Sequence, residues 1–172
     1  MGRLVLRVLV VLSLLFAGLR IWMRSNAPTA AGGGSGNVTA IASDDPAMLA
    51  AIAKARATVD RFTAALAHPL AGQKHFAVKW PVTQGDAVEH FWVEDVTFDG
   101  AKFRGVIQDE PEMVTSVRAG QAVTVPLVEI TDWMYIDGGS IVGGYTARVI
   151  RDKLPAEERR KFDQRVHFKS DS

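Results

Sequence analysis

From Leu4 to Met23 the chain is apolar apart from Arg7, Ser13, Gly18 and Arg20, and its first acidic residue is Asp44. A bilayer-spanning helix needs about 20 mostly apolar residues. The segment has that length, so it stands apart from any core the remaining chain builds. Its charge-free run, Val8 to Leu19, is shorter and also fits the hydrophobic region of a secretory signal. Three readings compete: an anchor, a cleaved signal, and an amphipathic helix of a soluble protein. Cleavage needs small residues just beyond the run, but Arg20, Trp22 and Arg24 follow it. Thr29-Ala30-Ala31 is a poor cleavage option and Ala40-Ile41-Ala42 a distant one. The anchor is preferred, because Trp22 suits the interface, Arg24 flanks it, and Arg7 and Arg20 can snorkel toward headgroups.

The α-amino group, Arg3 and Arg7 face Arg20 and Arg24 across this segment. Positive charge favours the cytoplasmic side, so the amino terminus is expected inside by a margin of one charge. The expectation is a single-pass protein of the inner (cytoplasmic) membrane, held through residues 4–23, with its domain on the periplasmic or extracellular side. Export after signal cleavage is the alternative. The chain has no cysteine, so the domain folds without disulfides and carries no cysteine-linked lipid. Residues 25–43 are Gly-, Ala- and Ser-rich and uncharged, a composition that makes a flexible tether. The expected organisation is an anchor or signal over 1–24, a linker over 25–43 and one globular domain over 44–172. All 19 acidic residues lie in that domain with 16 of the 20 basic ones, which leaves it at −3. It shows no basic face with interleaved aromatics, which argues against a nucleic-acid partner.

Asp44 and Asp45 offer capping oxygens and Pro46 suits a first helical turn. Ile52, Ala55, Val59, Phe62 and Leu66 then recur at spacings of three and four, which predicts one helix ending before Pro69. Phe76, Val78 and Trp80 alternate with His75, Ala77 and Lys79, a strand with one buried face stopped by Pro81. Val88 to Phe98 is a strand, and Asp99-Gly100 signals a hairpin into Ala101 to Gln108. Gln121 to Ile136 is strand-like but interrupted by Pro126. Tyr145 to Leu154 leans to helix, and Pro155 to Val166 reads as a final helix supported by Glu157 and Lys161. The fold class is α+β: a strongly curved antiparallel sheet or small β-barrel with an N-terminal helix and C-terminal helices, preceded by a membrane helix.

The densest polar and aromatic cluster is Glu89-His90-Phe91-Trp92, with Asp132-Trp133 on a later strand. Alternation puts His90, Trp92 and Glu94 on one face and Glu89, Phe91 and Val93 on the other. Glu89, His90, Trp92, Asp132 and Trp133 are the candidate ligand-binding residues. In one reading Glu89 or Asp132 pairs with His90 for acid–base chemistry. In the plainer one both tryptophans are core, and the carboxylates accept turn amides or a tryptophan N–H. The four histidines lack zinc-type spacing, and Asp109-Glu110-Pro111-Glu112 lacks the periodicity of a calcium loop, so no metal or cofactor is expected.

Several ordered segments resemble the bacterial YegJ-like family, domain of unknown function 2314. They are Phe76-Ala77-Val78-Lys79, Glu89-His90-Phe91-Trp92-Val93, Gly105-Val106-Ile107 with Glu110-Pro111, Gly120-Gln121-Ala122-Val123, Ile130-Thr131-Asp132-Trp133-Met134 and Gly143-Gly144-Tyr145-Thr146. The chain departs from the family pattern at Asp109 and Gln121. The resemblance implies a bacterial source and a shared fold; it supplies no established activity or catalytic residue and leaves function open. The flexible tether, which raises local concentration near the membrane without fixing orientation, motivates the expected function: a non-enzymatic binding or interaction module, with a protein or small polar ligand as partner, engaged through the face bearing Glu89, Trp92, Asp132 and Trp133. The alternatives are a hydrolase-like enzyme using Glu89 or Asp132 with His90, and an immunity-type partner of a secreted toxin.

Overall fold

The computed structural model describes residues 45–170 and, ahead of them, the backbone of Val8–Leu9. The membrane segment and linker expected over 1–43 otherwise lie outside the described residues. Among the described residues no helix is long and apolar enough to cross a membrane.

The domain opens with α1 (Pro46–Ala57) and α2 (Val59–Ala67). Asp45 caps α1, its Oδ1 accepting the N–H groups of Ala47 and Met48 at 3.0 and 3.1 Å. The single helix expected here is broken at Thr58, which adopts φ −114°, ψ 10°. The Thr58 hydroxyl donates to the Lys54 carbonyl at 2.8 Å, a local bond that competes with the helical ladder. The apolar stripe survives the break, with Ala55, Val59 and Phe62 buried and Leu66 packed against them.

The strands are β1 (Val8–Leu9), β2 (Gln73–Gln84), β3 (Ala87–Phe98), β4 (Lys102–Ile107), β5 (Ala122–Pro126), β6 (Asp132–Asp137) and β7 (Ser140–Gly143). Six of them form an antiparallel sheet in the order β5-β4-β3-β2-β6-β7, and β1 pairs in parallel with β3. Since β5 and β7 do not meet, the sheet is open and the small-barrel expectation is corrected. Closure requires edge strands to pair. Here β5 is short and ends in Pro126, while β7 is bonded on its outer side by the C-terminal segment. Ile141 N–H donates to the His167 carbonyl at 2.7 Å, and Lys169 N–H to the Ile141 carbonyl at 2.8 Å. Register shifts beside His75 and Asp95, both at positive φ, mark bulges that bend β2 and β3.

Two further expectations change. β2 continues past Pro81, because β6 pairs with it only as far as Lys79 and the missing N–H leaves no ladder bond unmade there. Both faces of β2 are buried rather than one. One face carries Phe76 and Val78 against Phe62, whose ring lies 5.8 Å from Phe76 and 5.4 Å from Trp133. Helices α3 (Tyr145–Lys153) and α4 (Ala156–Asp163) follow the sheet. Phe162 of α4 and Val166 cover Ala77, Trp92, Met134 and Ile136 on the second face. The expected Glu157–Lys161 pair forms at 2.8 Å on α4.

Candidate functional site

The ladder sets Lys79 of β2 directly between Trp92 of β3 and Asp132 of β6. Pairing residues share a face, so these three side chains and His90, two positions from Trp92, lie on the α4 side. Lys79 Nζ sits 5.6 Å from the Trp92 ring centroid and donates to Thr146 Oγ1 at 3.2 Å. That hydroxyl donates in turn to Asp132 Oδ2 at 2.6 Å. Asp132 Oδ2 also accepts the Thr146 N–H at 2.8 Å, while Oδ1 accepts those of Tyr145 and Trp133 at 3.1 and 2.9 Å. Four donors thus meet one carboxylate. Gly144, left-handed at the start of α3, has no side chain to cap the helix. Asp132 reaches across from the sheet and does so, placing negative charge where a helix favours it.

Burial dominates the electrostatics here. It pushes the Lys79 amine from 10.5 down to about 8, against the pull of Asp132. Burial also raises Asp132, opposed by the Thr146 hydroxyl, the Lys79 charge and the amides of Thr146 and Trp133. With four protons aimed at its two oxygens, the geometry requires the ionised carboxylate. Burial and then the Lys79 charge push His90 from 6.5 to about 4, so its imidazole is neutral. Among the described residues no group bonds to the buried His90 Nδ1.

Glu89 faces the other way. Its carboxylate is fully buried and accepts the N–H groups of Glu112, Met113 and Val114 at 2.9, 3.0 and 3.1 Å. On the adjoining strand Gln84 Oε1 accepts those of Thr115 and Ser116 at 2.7 and 3.1 Å. Together they clasp the loop between β4 and β5, whose Val114 and Val117 enter the core. Trp133 is core as well, its Nε1–H donating to the Ala55 carbonyl at 2.8 Å.

Of the five sequence candidates, the fold brings His90, Trp92 and Asp132 to one face and sends Glu89 and Trp133 to the other. A Glu89–His90 pair is therefore not formed, and Asp132, on the right face, has its acceptor positions filled. Two members of the cluster, Lys79 and Thr146, are not among those five candidates. A strand with one buried face leaves Lys79 on the other, although its place between Val78 and Trp80 is a signal. Thr146 carried no signal beyond following Gly143-Gly144. Among the described residues no group of His, Asp and Glu is arranged to hold a metal ion. A polar cleft beside α3 is lined by groups already paired with one another: Arg151 binds Asp163 at 2.5 and 2.7 Å and Asp152 at 2.6 Å.

This framework coincides with a recognised domain. Residues 45–169 match the family described as "uncharacterized protein conserved in bacteria", domain of unknown function 2314. The chain belongs to that family. It is 41% identical over 115 residues to the uncharacterised protein YegJ of Escherichia coli (strain K12), covering 67% of this chain and 74% of that one. It is also 39% identical over 79 residues to a putative ankyrin repeat protein of Neisseria meningitidis serogroup B, covering 46% of this chain and 31% of that one. No solved structure matches it.

Proposed function

We propose that this protein is a non-enzymatic binding module held at the inner membrane by its leader, with its domain in the envelope space. Its binding element is the loop between β4 and β5 together with the strand beside it, and its partner is a protein or small polar ligand. One observation carries the reading: both carboxylates that acid–base chemistry would need, Glu89 and Asp132, are each held by three backbone amides, with the Thr146 hydroxyl as a fourth donor to Asp132. The bonds at Glu89, with those at Gln84, tie down a long loop that has no helix or strand of its own. Compact domains use such loops to bind. The apolar leader and its flanking arginines support the location.

Single exchanges test it. In Glu89→Gln one carboxylate oxygen becomes an NH₂, so at least the Glu112 amide loses its acceptor and the remaining bonds lose their charge assistance. Charge-assisted bonds contribute about 1.5–3 kcal/mol each, so the melting temperature should fall by roughly 10 °C. If Glu89→Gln and Asp132→Asn both melt like the wild type, the carboxylates are free for chemistry and the reading fails. The location is tested by fractionation and the mature amino terminus. Intact Met1 in the membrane fraction is expected; a soluble form starting near Ala31 or Ser43 refutes the anchor.

A further inference from the structure

Sheet edges attract other strands unless something blunts them. At one end of this sheet the C-terminal segment bonds to β7. At the other, β5 is five residues long and ends in proline. A third edge opens within the sheet. β3 has twelve residues, yet β4 pairs with it only from Val93 to Phe98. From Ala87 to Trp92, β2 flanks β3 on one side and no other strand of residues 45–170 flanks it on the second. The clasped loop does not supply the missing ladder, since its amides bond to the side chains of Glu89 and Gln84. Val8–Leu9 lies there instead, parallel to β3, with Val8 opposite Val88 and Leu9 opposite Glu89.

We infer that the Ala87–Trp92 edge of β3 is a strand-acceptor site for an extended apolar segment, and that its occupant is this chain's own leader. Strand addition draws affinity from backbone hydrogen bonds, so it accepts an apolar segment without a deep pocket. The Gly-rich composition between the leader and Asp45 suits the return of the chain to its own domain. Val8 and Leu9 cannot pair with β3 and lie in a bilayer-spanning helix at once, so the two placements exclude each other. This inference does not rest on the proposed location, because docking is read on the purified chain whichever compartment it comes from.

The absence of cysteine makes the test direct. The full chain carrying Val8→Cys and Val88→Cys is purified in mild detergent and oxidised. Docked strands hold the two Cα atoms within the range of about 4.4–6.8 Å that a disulfide spans. The expected product is an intrachain bond, seen by non-reducing electrophoresis and peptide mass, in large excess over Val8→Cys with Thr124→Cys on the exposed part of β5. A yield no greater than that control overturns the inference. A bond between two chains assigns the edge to a second copy and overturns the cis occupant. Amide exchange gives an independent reading, since proline cannot donate to a ladder. Replacing Val8 and Leu9 by proline should speed exchange at residues 88–90 by about tenfold or more while β6 keeps its protection; unchanged exchange at residues 88–90 refutes docking. Fractionation tests the anchor separately, so either idea can fail alone.

Discussion

Replacing Lys79 with methionine should stabilise the protein at neutral pH, although it deletes a buried cation beside a buried carboxylate. The fall of the amine from 10.5 to about 8 means that its charged form is disfavoured in the folded chain by about 3 kcal/mol, with the pull of Asp132 already included. Methionine removes that charge and keeps an unbranched stem against the Trp92 ring. What is lost is the bond to Thr146 at 3.2 Å, worth about 1 kcal/mol. Thr146 keeps its own bond to Asp132, and Asp132 keeps all four donors. The balance is a gain of about 1–2 kcal/mol for Lys79→Met, which depends on the four donors keeping Asp132 compensated, since a buried carboxylate left without partners would instead cost about 3–5 kcal/mol. Asp132→Asn acts in the opposite direction. It strands a buried ammonium and turns an NH₂ toward donors at the start of α3, and should cost about 3–5 kcal/mol.

Urea unfolding of the two single variants and the double variant reads both effects. The pH dependence supplies a second check. Between the folded value near 8 and the unfolded value of 10.5, the unfolded chain binds more protons, so wild-type stability rises with pH across that window. Lys79→Met should lose that rise. The reasoning is refuted if Lys79→Met costs 1 kcal/mol or more at pH 7, or if its alkaline rise persists.

Two further outcomes follow from the same geometry. His90, held near 4 against an ordinary 6.5, makes the unfolded chain the better proton binder between those values. Stability should therefore fall on acidification from pH 6.5 through 4, by up to about 3 kcal/mol, and His90→Gln should flatten the slope; an unaltered acid limb in that variant contradicts the assignment. Gly143 sits at φ +79° where an added Cβ would lie 2.3 Å from the Trp133 carbonyl oxygen and 2.6 Å from its ring. Gly143→Ala should cost about 3 kcal/mol and disturb the near-ultraviolet tryptophan signal, and a wild-type melting curve would show that β7 can shift to make room.

Local pattern made much of this domain legible. Asp45 and Pro46 marked the start of α1, the spacing from Ala55 to Phe62 marked the face that α1 and α2 bury, and alternation placed Trp92 and Phe91 on opposite sides of β3. Three features were not legible, each for a physical reason. Thr58 breaks the first helix through a hydroxyl bond that an apolar stripe does not report. Pro81 ends a strand only where a neighbour needs its N–H, and the reach of β6 is a property of the sheet. Lys79 reads as solvated because a lysine in an alternating strand normally is; only the cover supplied by Phe162 and Val166, more than eighty residues on, makes its face an interior.

The segments that carry the family likeness fall on two clasps rather than on one reactive centre. Glu89-His90-Phe91-Trp92-Val93 supplies the carboxylate that holds the loop running past Glu110-Pro111 toward Gly120. Ile130-Thr131-Asp132-Trp133-Met134 supplies the carboxylate that caps α3 at Tyr145 and Thr146, and Gly143 allows β7 to approach Trp133 closely enough for that reach. In both places a buried carboxylate is neutralised mainly by amides of one segment, so its removal releases that segment while the sheet beneath is left intact. The first clasp lies beside the half of β3 that β4 does not cover, and the second lies on the far side of β2. A ligand engaging the loop would thus be read out at the Glu89 clasp and the open edge of β3, while the Lys79 cluster stays closed. Amide exchange that changes at Glu112 to Val114 on binding, with Tyr145 and Thr146 unaffected, is the pattern this arrangement requires; changes confined to α3 would place the binding surface at the second clasp instead.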